Sequence, residues 1–153
     1  MNAAHATTTV YIPQDTLSLA LGADQLAEQL EQWARTEQQP VTIVRNGSRG
    51  LYWLEPLLEV QHGDQTRLAY GPMTSAGLAE LLETTDWQQG APAHPLYLGN
   101  IEEHPYLANQ DRLSFARIGL FDPTDIESYQ QHEGFVGRRN ALALGPQGVL
   151  DQI

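Results

Sequence analysis

The sequence contains no cysteine and no lysine, so arginine supplies all eight of its basic residues. Without cysteine, disulfides, thiolate catalysis, cysteine-bound zinc and conventional iron-sulfur ligation are excluded. Without lysine, a lysine nucleophile, a Schiff base and a phosphate-gripping P-loop lysine are excluded as well. Several classes of covalent and metal chemistry are therefore closed to this chain of 153 residues.

Positive charge and long apolar runs are also scarce. Nineteen acidic residues against eight basic ones give a formal net charge of -11. A surface this negative repels nucleic-acid phosphates and anionic lipid, so we expect neither as a partner. The sequence has no apolar run of about 18 residues and no basic segment followed by an apolar one near its start. We therefore predict a cytoplasmic protein without membrane insertion.

Motifs for catalysis, metal binding and nucleotide binding are missing too. The sequence has no G-x-G-x-x-G and no P-loop. Its histidines, which lie at positions 5, 62, 94, 104 and 132, are dispersed without metal-ligand spacing. Ser48 does not lie in a G-x-S-x-G nucleophile elbow. We predict no catalytic residue and no metal ligand, and we expect the chain alone to be inactive as an enzyme.

The first half of the sequence predicts an α/β domain. Its segments carry strand, amphipathic-helix or hairpin patterns, and the predicted elements are a strand at 7–13, a helix at 23–36, a strand at 41–45, a hairpin of 57–61 with 66–70, and a short helix capped by Thr74 or Ser75. Trp33 and Trp53 are predicted core anchors. This order of elements predicts a thioredoxin-like mixed sheet flanked by helices.

The second half predicts a linker and short helices. Residues 85–111 are rich in proline and glycine, which favours a linker that wraps against another part of the protein. Asp122 followed by Pro123 predicts a helix start, and Gly145-Pro146 predicts the stop of a second helical segment. We therefore divide the chain into a domain at 1–84, a linker at 85–111 and a C-terminal segment at 112–153.

Two loops of this domain are similar to the cluster-binding loops of thioredoxin-like ferredoxins. Those proteins hold a two-iron cluster with a Cys-x4-Cys pair and a Cys-x3-Cys pair. Counting from Gly22, Gly47 and Gly50, the resemblance places the ligand positions at Pro13, Ser18, Ser48 and Tyr52. None has a thiol, so the cluster site is predicted to be vestigial. On a purely structural interpretation, Ser48 stabilises the turn and Tyr52 packs in the core.

A longer resemblance covers most of the chain. It is carried by VYIPQDTLSLALGAD at 10–24, VRNGSRGLYWLEPLLEV at 44–60, AYGP at 69–72 and RLSFARIGLFDPTDIESYQQHEGFVGRRNAL at 112–142. These segments resemble the N-terminal region of the beta (NADH-binding flavoprotein) subunit of soluble NAD-dependent formate dehydrogenases, which is related to the flavoprotein subunit of complex I. The resemblance implies that 112–153 begins the flavin module of a parent subunit using FMN, NAD and an iron-sulfur cluster.

Two functions are consistent with the sequence. The first is a structural and assembly domain whose partners are other subunits of a formate dehydrogenase or NADH dehydrogenase-like complex. The alternative is a free-standing, cluster-free thioredoxin-like module that binds proteins. We expect no cofactor in this chain under either interpretation. The many apolar residues of 112–144 also predict self-association of the isolated chain.

Overall fold

The computed structural model describes residues 7–153, which build a mixed five-stranded sheet. The strands are β1 (Thr8–Tyr11), β2 (Val41–Val44), β3 (Leu58–His62), β4 (Leu68–Tyr70) and β5 (Tyr97–Asn100), in the order β2-β1-β3-β4-β5. The β1–β2 pair is parallel, and the other neighbours are antiparallel. In the centre of the sheet, Val10 lies opposite both Ile43 and Val60. The α/β prediction is confirmed.

In the part of the chain that the structure describes, six α-helices accompany the sheet. They are α1 (Thr16–Ala20), α2 (Ala23–Thr36), α3 (Ser75–Leu82), α4 (Pro105–Ala108), α5 (Ile126–Gln131) and α6 (Val136–Leu150). The Asp15 side chain caps α1 by accepting from the amides of Leu17 and Ser18, and Thr74 caps α3 by accepting from Gly77. Within residues 7–153, none of the helices is both long enough and apolar enough to cross a membrane.

The main core lies between one face of the sheet and helices α2 and α3. Its fully buried side chains come from alternate strand positions and from one side of each helix: Val10, Ile12, Leu26, Leu30, Leu58, Val60, Tyr70, Leu78 and Leu81. Each large apolar side chain stabilises the fold by about 1.5–3 kcal/mol when fully buried. A smaller cluster of Leu51, Leu57, Ala69, Ile101 and Leu107 lies on the other face.

The structure differs from the prediction for residues 85–111. This range contains β5, which pairs with β4 as an edge strand, and it also contains the buried Trp87. The Trp87 ring contacts the Trp33 ring edge to face, with centroids 5.7 Å apart. The strand was missed because it is short, contains Gly99 and follows a proline-rich stretch. Much of the predicted linker is therefore part of the folded sheet and core.

Two smaller corrections concern aromatic packing and helix starts. Trp53 is 57% exposed, so its assignment to the core was wrong. Helix α5 begins after Asp125, whose carboxylate accepts from the amides of Glu127 and Ser128. Asp122 instead forms a local turn by accepting from the amide and hydroxyl of Thr124. In α6, the predicted stop does appear as a break, because Gly145 has a non-helical φ of 70°.

Candidate functional site

A buried glutamate joins the two loops whose sequences resemble the cluster-binding loops of thioredoxin-like ferredoxins. Ser18 lies on α1 and Ser48 on the loop after β2, and both hydroxyls contact the carboxylate of Glu55. The Ser48 Oγ to Glu55 Oε1 distance is 2.6 Å, and the Ser18 Oγ to Glu55 Oε2 distance is 3.1 Å. The Leu57 amide donates to Oε2 at 2.8 Å. Glu55 is only 4% exposed, so this carboxylate forms an internal bridge between the loops.

The proton on Ser18 must serve two carboxylates. Its Oγ also lies 2.7 Å from Asp15 Oδ2, and a hydroxyl carries one proton to donate. Burial raises the pKa of Glu55, while hydrogen bonds from Ser48, Leu57 and Ser18 lower it and the nearby charge of Asp15 raises it again. A protonated Glu55 donates to Ser18 Oγ and lets that hydroxyl donate to Asp15. Sharing the Ser18 proton with Asp15 therefore acts in the same direction as burial, toward a raised pKa of Glu55.

The structure brings two of the four predicted ligand positions together. Ser18 and Ser48 converge on Glu55, and Ser48 also accepts the Gly50 amide at 3.0 Å, so it serves the turn as well. Pro13 is buried directly after β1. Tyr52 is 62% exposed, so the interpretation that placed it in the core was wrong. Serine hydroxyls around a carboxylate do not fit an iron-sulfur cluster, which requires thiolate or imidazole ligands. Residues 7–153 also contain no group of three His, Cys, Asp or Glu side chains arranged for a metal.

A second buried polar cluster lies on the sheet face opposite α2 and α3. Glu59 of β3 is 1% exposed and accepts two hydrogen bonds from Arg49, at 2.9 and 2.8 Å. Arg49 also contacts Glu102 at 2.8 Å, and Arg67 approaches Glu59 at 3.5 Å. Burial works to lower the pKa of Arg49, but the two carboxylates outweigh it and raise that pKa. The cluster thus holds buried charge in matched pairs.

Sequence reasoning missed both buried glutamates, although a signal was present. Glu55 and Glu59 interrupt the otherwise apolar stretch LEPLLEV at 54–60. An ionisable residue inside such a stretch is either exposed on one face or buried with partners. In this chain both glutamates are buried, and their side-chain donors lie between 7 and 37 residues away in the sequence.

The same cluster anchors residues 112–122, here called the docking segment. Arg67 donates to the carbonyls of Gly119 and Leu120 at 3.1 and 2.8 Å, while its guanidinium lies 3.5 Å above the Tyr11 ring. Asn46 donates to the Gly119 carbonyl at 2.8 Å. At the two ends of the segment, Arg112 donates to the Arg49 carbonyl and Asp122 accepts from Gln14. The docking segment is therefore held against the sheet by polar contacts.

Large exposed apolar side chains fall on two surfaces. The loop surface is formed by exposed side chains of α1 and its C-terminal end, of the segment just before Glu55, and of α4: Leu17, Leu19, Leu21, Tyr52, Trp53 and Tyr106. The Trp53 and Tyr106 rings meet edge to face there, with centroids 5.1 Å apart. The C-terminal surface consists of Leu113, Phe115, Ile118, Ile126, Phe135, Leu142, Leu144, Leu150 and Ile153. Both surfaces leave apolar area available for contacts with other proteins.

Comparison with known proteins gives structural matches only. No protein-family model matches the sequence, and no curated protein matches it. Among solved structures, a thioredoxin-like 2Fe-2S ferredoxin from Aquifex aeolicus superimposes with a TM-score of 0.53 at 14% identity, covering 65% of this chain and 97% of the ferredoxin. The fold is thioredoxin-like. A cysteine-to-serine variant of that ferredoxin matches with a TM-score of 0.48 at 16% identity, over 60% of this chain and 98% of its own.

The first of these two matches confirms the predicted thioredoxin-like fold. A structural match at 14% identity shows the fold alone. The resemblance to a formate dehydrogenase subunit is a more specific statement, so it stays a proposal.

Proposed function

We propose that this chain is a thioredoxin-like ferredoxin domain without a cluster, which serves as a structural and assembly domain. The observation that carries the proposal is the convergence of Ser18 and Ser48 on the buried Glu55 carboxylate. These serines occupy two positions that the resemblance assigns to cluster ligands. Hydrogen bonds to one carboxylate join the two loops at the place where shared cluster ligation would join them.

The sequence resemblance supports a specific setting for this domain. We propose that it belongs to the flavoprotein (beta) subunit of an NAD-linked formate dehydrogenase or an NADH dehydrogenase-like complex. The parent subunit would pass electrons between NAD(H), FMN and iron-sulfur clusters. This chain contributes packing surface to that assembly, because its residues offer no thiolate ligand and no glycine-rich nucleotide loop.

A second candidate function is supported by the loop surface. Tyr52 and Trp53 are 62% and 57% exposed beside the Glu55 site, and exposed aromatic side chains are typical of protein-binding sites. A free-standing module that binds a protein through this surface fits the same observation. The two functions differ in partner: the assembly domain binds the flavin module of its own complex, whereas the module binds an unrelated protein.

Cluster reconstitution tests the loss of the ligands. We expect the purified chain to remain colourless after anaerobic incubation with iron and sulfide. The matched variant combines Pro13→Cys, Ser18→Cys, Ser48→Cys and Tyr52→Cys with Glu55→Ala, and we expect it to acquire the visible absorption of a two-iron cluster. Stoichiometric iron in the unmodified chain would refute the loss. A folded variant that takes up no iron would refute the assignment of these positions.

Direct binding tests the assembly role. The probe is the purified FMN- and NADH-binding module of a formate dehydrogenase beta subunit from the same organism, titrated against this chain by isothermal calorimetry. We expect a complex of micromolar affinity or better, weakened by Trp53→Ala but not by the control Glu80→Ala at an exposed position of α3. No binding at the highest soluble concentration would reject the assembly role and leave the free-standing module.

A further inference from the structure

Strand β2 forms one edge of the sheet, and within residues 7–153 no strand pairs with its outer side. In the parallel pair with β1, the Val44 carbonyl accepts from the amide of Ile12 at 3.0 Å. Neighbouring residues of a strand direct their backbone groups to opposite sides. Val41 and Ile43, which alternate with Val44, therefore direct their N–H and C=O groups away from the sheet.

The backbone on either side of this open stretch is already hydrogen-bonded. Before it, the Gln39 amide donates to the Ala34 carbonyl at 3.0 Å, at the end of α2. After it, the Arg45 carbonyl accepts from Nε2 of Gln14 at 2.9 Å. The open edge is therefore short and defined, and it is centred on the outward groups of residues 41 and 43.

The opposite edge strand, β5, is less suited to receive a further strand. The register between β4 and β5 shifts at Ala69 and Tyr70, and Gly99 of β5 has a φ of 81°. Bulges and irregular backbone are features by which proteins protect a sheet edge. Strand β2 instead keeps an unbroken register with β1 and has the sequence VTIV, which contains no charged residue. The sheet therefore has one protected edge and one open edge.

A groove of about 390 Å³ lies between the open edge and α2. Val41 and Ile43 line it from the strand, and Ala34 lines it from the helix. The two strand side chains pack against the main core but are only half-buried. Residues directly opposite each other in an antiparallel pair have their side chains on the same face. An added antiparallel strand therefore places the two side chains opposite Val41 and Ile43 in this groove, and apolar side chains fit there.

The charges near the groove favour a basic occupant. The side of α2 that borders it carries four charged residues at helical spacing, which are Asp24, Glu28, Glu31 and Arg35. Asp24 is paired with Arg45 at 2.8 Å, so two carboxylates remain against one arginine. The whole chain has a formal net charge of -11, which attracts a cationic segment and repels a second copy.

We propose that the β2 edge binds an extended, basic segment of another protein by strand addition. The backbone of the segment forms hydrogen bonds with Val41 and Ile43, and its apolar side chains at alternate positions enter the groove. Basic side chains at the ends of the segment meet Glu28 and Glu31. The proposal is independent of the assembly role, because no residue of the groove belongs to the loop surface or the C-terminal surface.

Peptide titration followed by NMR of the isotope-labelled full chain tests this site. The probe is a capped peptide of sequence Arg-Thr-Val-Thr-Val-Thr-Arg, in which the valines alternate as the groove requires. We expect the amide signals of Val41 and Ile43 to shift with a Kd on the order of 100 µM. At about ten times that concentration of peptide, hydrogen exchange of both amides should slow roughly tenfold. The indole signal of Trp53, on the loop surface, should not move.

A modified peptide and two variants of the chain serve as matched controls. Methylation of both valine nitrogens keeps the side chains and charges of the peptide but removes its donors to β2, so binding should weaken roughly tenfold or more. Glu31→Arg should weaken binding of the basic peptide roughly fivefold or more, because it places a like charge at the groove. Glu80→Arg makes the same change at an exposed position of α3 and should have less than about a twofold effect.

Four results would overturn the proposal. Amide signals of Val41 and Ile43 that stay unchanged at the highest soluble peptide concentration would reject the site. Equal binding of the methylated peptide would reject strand addition, and shifts centred on Trp53 would place the contact on the loop surface. Protection of the two amides that rises with protein concentration in the absence of peptide would make a second copy the occupant. Glu31 and Glu80 are both exposed, so their substitutions do not disturb the core.

Discussion

Glu55 and Glu59 lie four residues apart, yet the side chains around them differ in charge. Glu59 faces two arginines, so its buried negative charge is balanced. Glu55 accepts hydrogen bonds only from neutral groups and lies near the negative Asp15. Hydrogen bonds from neutral donors offset the desolvation of a carboxylate only in part. Glu55 is therefore left as a buried carboxyl whose pKa is raised.

The raised pKa of Glu55 gives a testable pH dependence. In the pH window between its unfolded and its folded pKa, the folded chain binds more protons than the unfolded chain. The free energy of unfolding contributed by this group is therefore greatest below the unfolded pKa and decreases as pH rises through the folded pKa. Glu55→Gln removes this titration, so we expect the stability of the wild type relative to this variant to fall across that window.

Urea unfolding at a series of pH values measures the effect. Glu83→Gln is the control, because Glu83 is exposed at the end of α3. The control should show a flat difference from the wild type over the same window. An equally flat difference for Glu55→Gln would mean that Glu55 has the same pKa in the folded and unfolded chains.

At the scale of elements, the docking segment depends on a close contact at Gly119. This residue has a φ of 77°, and a Cβ built on it would lie 2.5 Å from Cδ of Arg49. Arg49 cannot move away easily, because its guanidinium is bound to Glu59 and Glu102. Glycine alone combines this backbone conformation with this contact.

We expect Gly119→Ala to lower the free energy of unfolding by about 1–3 kcal/mol, because the methyl group forces either the segment or Arg49 to shift. Amide hydrogen exchange of the docking segment should become faster in this variant. Gly137→Ala is the matched control, since its Cβ meets nothing within 4 Å and it lies in α6. That control should be neutral or stabilising by up to about 1 kcal/mol. Equal effects of the two substitutions would argue against the close contact.

The elements that sequence predicted correctly are those with long or regular patterns. Helix α2 repeats its apolar residues at helical spacing, and β3 and β4 flank a turn with Gly63 at positive φ, so local chemistry sufficed. Strand β5 has no such pattern and exists because β4 offers a pairing edge. In the candidate site, the glycines of the two loops identified Ser18 and Ser48 as positions that correspond to cluster ligands. The role of Glu55 could not be predicted from the sequence, because its serine partners are 7 and 37 residues away.

At the scale of the whole molecule, the ion pairs around Glu59 connect three parts of the fold. Glu59 on β3 is linked through Arg49 to Glu102, which precedes α4, and through Arg67 to the docking segment. Buried charges are costly to isolate, so removal of one member leaves the others without balance. The sheet, the second core cluster and the docking segment therefore share one electrostatic centre.

We expect Glu59→Gln to lower the free energy of unfolding by about 3–5 kcal/mol, since it leaves Arg49 and Arg67 without their shared carboxylate. The control Asp24→Asn removes the exposed pair between Asp24 and Arg45, whose separation is 2.8 Å. Exposed pairs contribute about 0–1 kcal/mol, so the control should cost no more than that. Chemical denaturation followed by tryptophan fluorescence compares the two. A loss of less than 1 kcal/mol for Glu59→Gln would show that the network contributes no more than an exposed pair.

The attachment of the docking segment through its carbonyl groups has an evolutionary consequence. Arg67 and Asn46 bind the peptide oxygens of Gly119 and Leu120, which every amino acid possesses. Substitutions at most positions of the segment therefore leave these hydrogen bonds available. Selection can reshape the outward-facing side chains, such as Leu113 and Phe115, to suit new neighbours while the path of the chain is preserved. Divergence of this segment among relatives should thus be rapid except at Gly119 and at the anchoring side chains of Arg112 and Asp122.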